Sequence, residues 1–403
     1  MMTFTKHPHW SAVKKICERL HENGYVAWLA GGCVRDGLLG IVPQDFDIVT
    51  NATVAEIENL FKKTIGVGKA FGVMRVVIPG ADIEVATFRK DGIYEDGRHP
   101  TSVEEATPQE DAQRRDFTIN ALFFDPFNNE VKDFVEGKRD LKSRVIRAVG
   151  KAEDRFQEDH LRVMRAIRFV SQLDFNLEEK TQKAVTKLAR KVPTVSAERI
   201  HEELDKVMRG KRPDRAIRLL QETELLKVIL PEIKYQAHWP NIFKKLIGSP
   251  NQEIMGWVIL FEGTPGSERE GIYSRLRFSR EQRAVIDSAL RGIEKFRVFK
   301  DLRLAEKKEL SANKNSVLAI EFLDLTQPVS IQIKKFVQAN PTLPKPWVGS
   351  NHLLELGIKP GKEMGMLLAR VYEAQLSEVV SNQGAAIEWI KKKIKKVSDV
   401  SKV

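Results

Sequence analysis

Cysteine is nearly missing from this chain: Cys17 and Cys33 are the only two in 403 residues. Two thiols cannot build a disulfide framework or a cysteine-rich zinc site, and they fit a reducing compartment. No run of about 18 apolar residues occurs, which excludes a membrane-spanning helix. The opening Met1-Met2-Thr3-Phe4-Thr5-Lys6-His7-Pro8 has no apolar signal-peptide core, so a cytoplasmic protein is expected. No internal repeat is visible. The composition of disorder is absent too, since 42% of residues are hydrophobic and 30% charged, close to globular averages. What is present is a basic surplus. Lys and Arg number 66 against 55 Asp and Glu, a formal net charge of +11. That surplus is compatible with plain solubility and with a polyanionic partner. The length exceeds one compact core and suggests two to four domains.

The first third mixes strand and helix signals, and the rest reads helical. Residues 10–22 have helical periodicity, with Val13, Ile16, Cys17 and Leu20 on one stripe. Tyr25 to Ala30 reads as a strand, broken by Gly31-Gly32 before a short helix from Cys33. Further strand runs contain Asp45–Val49, Val73–Ile78 and Ile83–Phe88, the last two joined by Pro79-Gly80. Leu122–Phe124 and Val131–Val135 flank another hairpin turn, Asp125 to Asn129. A sheet of about five strands with helices packed on it is the simplest assembly. Helices are then expected at 158–173, 178–191, 197–209 and 213–223. The lysine run Lys391 to Lys396 reads as a solvated helix face that could add phosphate attraction.

Asp45 and Asp47 are the sharpest pair. In a strand, positions i and i+2 share a face, so Phe46 and Ile48 would enter the core while two carboxylates meet opposite. Like charges held together repel unless a cation lies between them. Hard oxygen donors in this arrangement suit Mg²⁺, and two such ions can serve a phosphoryl reaction. Alone, Asp-x-Asp is equally a solvated strand end. About a dozen residues upstream, however, Gly31-Gly32-Cys33-Val34-Arg35-Asp36 reads as strand, tight turn and helix start, a place where backbone can approach phosphate closely. The two together fit nucleotidyl transfer. Glu84 interrupts an apolar strand and is a candidate third carboxylate, or simply an exposed-face residue. Arg114-Arg115-Asp116-Phe117-Thr118-Ile119-Asn120-Ala121 packs phosphate-binding and ribose-binding side chains around apolar ones; a structural ion-pair cluster would read the same way.

These three segments resemble the signature of class II tRNA nucleotidyltransferases, which comprise bacterial CCA-adding enzymes and the related poly(A) polymerases. The resemblance continues through Asp133–Leu141, where Lys138 replaces a usual glycine, then Glu158-Asp159-His160-Leu161-Arg162, Glu198-Arg199-Ile200 and Pro231-Glu232. It covers residues 24 to about 235 well and returns weakly at Leu356 to Gly361. It implies an α+β fold: a polymerase-β-like nucleotidyltransferase head over 1–150, a helical neck over 151–235, and a helical body and tail over 236–403 that grips tRNA.

The resemblance further implies two Mg²⁺ ions on Asp45 and Asp47, with Glu84 as an added candidate ligand. Nucleotide contacts would come from Gly31, Gly32, Arg35, Arg114, Asp116, Asn120, Asp159, Arg162 and Arg165. Asp159 and Arg162 would read the incoming base, with Glu158 orienting Arg162. Three residues apart on one helix, Asp159 and Arg162 would share a face, with Val163, Ile167 and Val170 on the apolar stripe. The expected partners are tRNA, CTP and ATP, and the expected reaction is CCA addition. CC-only, A-only and poly(A) addition are the related alternatives, and an RNA-binding protein without catalysis is the non-enzyme one. The resemblance implies that a CC-only enzyme would have a shortened loop after the strand ending near Arg89; the segment from Arg89 to Arg114, with Arg98 in that flexible loop, looks nearly full length, which argues against CC-only addition. His99 stands where a second Arg is usual, and no His-Asp dipeptide occurs, which argues against an appended phosphohydrolase domain.

Overall fold

The computed structural model describes residues 3–92 and 101–400. It forms two compact units. One comprises Met1–Glu253 with Thr264–Phe278, and the other Ile254–Gly263 with Ser279–Val403. The expected loop residues Arg98 and His99 lie outside the described residues.

The first unit opens with helix α1 (Trp10–Glu22), whose stripe Val13, Ile16, Cys17 and Leu20 is fully buried. Then follow β1 (Trp28–Ala30), α2 (Gly32–Leu38), β2 (Asp47–Thr50), α3 (Val54–Leu60), β3 (Thr64–Gly68), β4 (Val73–Ile78) and β5 (Ala81–Thr87). The short pair β6 (Arg89–Asp91) and β7 (Val103–Glu105) leads to α4 (Pro108–Gln113), β8 (Leu122–Asp125) and β9 (Glu130–Asp133). Seven strands form one sheet, in the order β3-β4-β5-β2-β1-β8-β9. That exceeds the five or so expected. One addition is β3, whose sequence Thr-Ile-Gly-Val-Gly has too much glycine to signal a strand; it survives as an edge held by β4. Both anticipated hairpins form, β4–β5 around Pro79-Gly80 and β8–β9 around Asp125 to Asn129. The β2–β5 pair is parallel and sets Asp47 opposite Glu84.

After α5 (Gly137–Ser143) and β10 (Val145–Ile146), the unit turns helical: α6 (Ala152–Glu158), α7 (Leu161–Leu173), the two-residue β11 (Asn176–Leu177), α8 (Glu179–Leu188), α9 (Ala197–Met208), α10 (Pro213–Glu222) and α11 (Leu225–Ile229). Here one expectation fails. Residues 158–173 are not one helix, because the chain breaks at Asp159, which is extended at φ −137° and ψ 106°. The cause is local: the Asp159 carboxylate accepts the Leu161 N–H at 3.0 Å, an alternative to helix continuation that Asp side chains offer. Helix α7 anchors the unit, with Val163, Ile167 and Val170 wholly buried.

The second unit is helical, with helices including Arg280–Arg297, Lys362–Leu376 and Gln383–Val400. Val348, Leu353, Met364, Val371, Ala374, Val380, Ala386 and Ile390 form one of its cores. Gly357 terminates a helix with φ +78°, while the Ile358 N–H bonds the Leu353 carbonyl at 3.0 Å. Among the described residues no helix is long and apolar enough to cross a membrane.

Candidate active site

One cavity of about 760 Å³ in the first unit gathers most of the expected site residues. Gly31, Gly32, Arg35, Asp45, Asp47, Arg114, Asp116, Asn120, Asp159, Arg162 and Arg165 all line it. Glu84 does not, and neither does Glu158. Its size falls within the range of small-molecule sites.

The glycine turn forms the floor. Gly31 has φ +72°, and its N–H donates to the Leu122 carbonyl at 3.1 Å, so β1 passes into α2 without a side chain in the way. A Cβ at Gly31 would stand 3.1 Å from Arg115 Nη1. Gly31→Ala is therefore expected to lower stability by about 1–3 kcal/mol through backbone strain and to displace Arg115, measurable by urea unfolding.

Asp47 opens β2 half-buried, and Asp45 precedes it exposed. Burial, then repulsion from Asp45 and from Glu84, push the Asp47 carboxyl up to about 6, against a counteracting Arg115. Glu84 has a neighbour of its own, Arg75 at 3.6 Å. Among the described residues no group of three or more metal-ligating side chains gathers, so the candidate cation site is the Asp45–Asp47 pair, without Glu84. Its donor set is hard oxygen, and two carboxylates suffice for Mg²⁺ when substrate phosphates complete the shell. The residues fit the ion.

The same cavity has an arginine-rich wall built on buried carboxylates. The Thr107–Glu110 capping box and Pro108 start α4, which carries Asp111. Asp111 is fully buried and accepts two bonds each from Arg114 (2.9 and 2.6 Å) and Arg115 (3.1 and 2.9 Å). Burial alone would raise its carboxyl, but Arg115 and Arg114 outweigh that and lower it. Asp116 is similar. Burial opposes its charge, yet Arg165 at 2.6 Å, Asn120 and Arg162 hold the carboxyl down at about 2. Asn120 in turn accepts from Arg35 Nη1 at 2.7 Å, linking α2 to α7 through one buried network.

Arg162 itself is buried. It pairs with Glu158 at 2.7 Å as expected, and donates to the carbonyls of Arg155 (3.1 Å) and Arg114 (3.0 Å). Asp159 does not share its helix, contrary to expectation, yet the turn between α6 and α7 still brings both residues to the cavity. Arg199, from the Glu198-Arg199-Ile200 segment, stands 3.7 Å from Asp159.

Arg168 was not singled out by the sequence. It pairs with Glu203 at 2.9 Å, lines the cavity, and keeps its Nε buried without a hydrogen-bond partner. Burial and then Arg165 lower its guanidinium to about 10. The recurrence Arg162, Arg165, Arg168, three residues apart each time, was the available signal, because such positions neighbour one another on a helix. Lys206, Arg209 and Lys211 extend the basic wall.

Asp116→Ala is expected to destabilise the fold by about 3–5 kcal/mol by leaving Arg165 without its buried partner. The sign with pH follows. A carboxyl lowered on folding contributes stability that is fully present above its ordinary 3.8 and disappears as pH falls toward 2. The stability gap between wild type and variant, read by urea melts, should therefore narrow only in strong acid.

Comparison with known proteins adds independent findings. Residues 27–147 match the family model "Poly A polymerase head domain", and residues 174–236 match "Probable RNA and SrmB- binding site of polymerase A". The chain is 34% identical over 385 residues to a CCA-adding enzyme of Lactobacillus helveticus, covering 93% of this chain and 94% of that one. It is 46% identical to a CCA-adding enzyme of Bacillus pumilus over 211 residues, 52% of each chain. Among solved structures, the Bacillus stearothermophilus CCA-adding enzyme in complex with CTP superposes with a TM-score of 0.80 at 26% identity, covering 98% of this chain and 99% of that one.

Proposed function

The chain belongs to the CCA-adding enzyme family, and from that membership we propose that it adds C, C and A in turn to the 3′ end of tRNA, using CTP and ATP without a template strand. The observation that carries this reading is a single cavity in which the Asp45–Asp47 pair, the arginine wall and the Asp159/Arg162 pair converge.

The tRNA 3′-hydroxyl loses its proton to solvent as its oxygen bonds the α-phosphorus of the nucleotide, and the bond from that phosphorus to the oxygen bridging to the β-phosphate breaks, releasing pyrophosphate. Asp45 and Asp47 would hold two Mg²⁺ ions. When bound, the metal supplies Lewis acidity that favours the attacking alkoxide and offsets charge on the leaving group. The chain's own residues do the rest. Arg35, Arg165 and Arg168 attract the triphosphate, and the Gly31-Gly32 turn lets backbone approach it. Asp159 accepts an amino hydrogen from cytosine N4 or adenine N6, and Arg162 donates to cytosine N3 or adenine N1. Guanine and uracil reverse that donor–acceptor order and leave a charged group unpaired, at about 1–3 kcal/mol or more per group. Glu158 and the Arg114 carbonyl fix the Arg162 guanidinium so that one edge is offered. In this reading residues 1–150 carry the chemistry, 151–235 choose the base, and 236–403 hold the tRNA.

The test uses tRNAs ending at the unextended position, after C, and after CC, with CTP and ATP supplied singly and together. Full-length addition of three, two and one nucleotides supports the reading. Products stopping at CC, products formed only from the CC-ending tRNA, or long adenylate tails would replace it with CC-only, A-only or poly(A) addition.

A further inference from the structure

We infer that Phe169 is a positioning residue for the triphosphate, its ring gathering the guanidiniums of Arg35, Arg165 and Arg168 into one anion-binding face; this rests on the functional reading above. The Cζ atoms of the three arginines lie 5.3, 5.5 and 4.2 Å from the ring centroid. All are within the roughly 6 Å at which an aromatic quadrupole attracts a cation. Two come from α7 and one from α2, so the ring joins the glycine-turn helix to the helix that carries Arg162.

The hydrogen-bond acceptors gather only two of the three. Asn120 and Asp116 bond each other and so tie Arg35 to Arg165, while Arg168 bonds Glu203 instead. The ring is the group that all three cations share. Three guanidiniums this close repel one another, and the negative face of the ring offsets that repulsion without consuming their hydrogen-bond donors. The ring takes none of the donors that the acceptors leave over, and the buried Nε of Arg168 is one that has no hydrogen-bond partner. The ring is itself fixed. It is 3% exposed, meets Phe117 edge-on at 5.5 Å, and reaches the cavity wall.

An apolar side chain of similar bulk would preserve the packing but not the quadrupole, and that separates the two roles. In the full-length protein, Phe169 is replaced by phenylalanines carrying one, two and three ring fluorines, which keep the shape while draining the negative face. Affinity for CTP and for inorganic tripolyphosphate is read by calorimetry, with Phe169→Leu alongside. The expected result is a stepwise rise in Kd for both ligands, reaching about 10-fold at three fluorines, with the loss of turnover falling mainly on KM rather than kcat. A Kd that stays flat along the fluorine series overturns the inference, even if Phe169→Leu is impaired, because packing alone would then account for the residue. Wild-type protein that binds no CTP overturns the functional reading itself, and the inference with it.

Discussion

Replacing Asp45 and Asp47 together by alanine should lower nucleotide incorporation by about 10³-fold or more while the metal-free protein becomes more stable, not less. The activity loss follows from removing the carboxylates proposed to hold the catalytic ions. The stability gain follows from electrostatics. Asp47 is raised from 3.8 to about 6 by burial and by its acidic neighbours, so the fold favours its neutral form. Ionising it in the folded state carries a penalty of about 1–3 kcal/mol that is fully present above pH 6 and gone below its ordinary value. In chelator at pH 7.5 the double variant should therefore melt higher than wild type. The difference should shrink as pH falls from 6 toward 4. Incorporation at the wild-type rate, or a variant that melts well below wild type at pH 7.5, would contradict this account of the acidic pair.

Arg162→Ala and Asp159→Ala should change which nucleotide is added before they abolish addition. Each removes one charged partner of the base edge, and discrimination of C and A against G and U should fall by about 10- to 100-fold. Arg162 has the larger structural role, since it also bonds two carbonyls and Glu158. Its loss should therefore lower kcat as well. Asp159 has fewer supports and gives the cleaner test. Competing incorporation of all four nucleotides, measured as ratios of kcat/KM, reads both variants. Unchanged ratios in both would mean that the base is chosen elsewhere.

How much of this was legible in the sequence depended on range. Asp45 and Asp47 were legible as a pair because only one residue separates them, although the expected strand begins at Asp47 and leaves Asp45 just before it; Phe46 and Ile48 are buried as anticipated. Arg114 to Asn120 was legible because its chemistry is packed into consecutive residues. The partners that make those groups work were less so. Asp111 stands three and four residues before the two arginines it holds, a local spacing that was available and passed over. Glu203 pairs with Arg168 from 35 residues away, and that separation leaves no local pattern. Periodicity carried the helix expected over 158–173 straight through Asp159, because the apolar stripe of α7 is strong and the competing side-chain bond to Leu161 is not encoded in hydrophobicity. A turn, not a helix face, presents Asp159, and both it and Arg162 line the cavity. The ring of Phe169 was equally hidden, being to the eye one more apolar residue in a helix stripe.

The central claim is that protein side chains alone specify C, C and A. The most direct measurement supplies wild-type protein, Mg²⁺ and equimolar ATP, CTP, GTP and UTP to tRNA lacking its last three nucleotides, with no complementary strand, and sequences every 3′ end. The account predicts ends that read CCA, with G and U rare. Ends rich in G or U, or extension that appears only when a complementary strand is added, would contradict it.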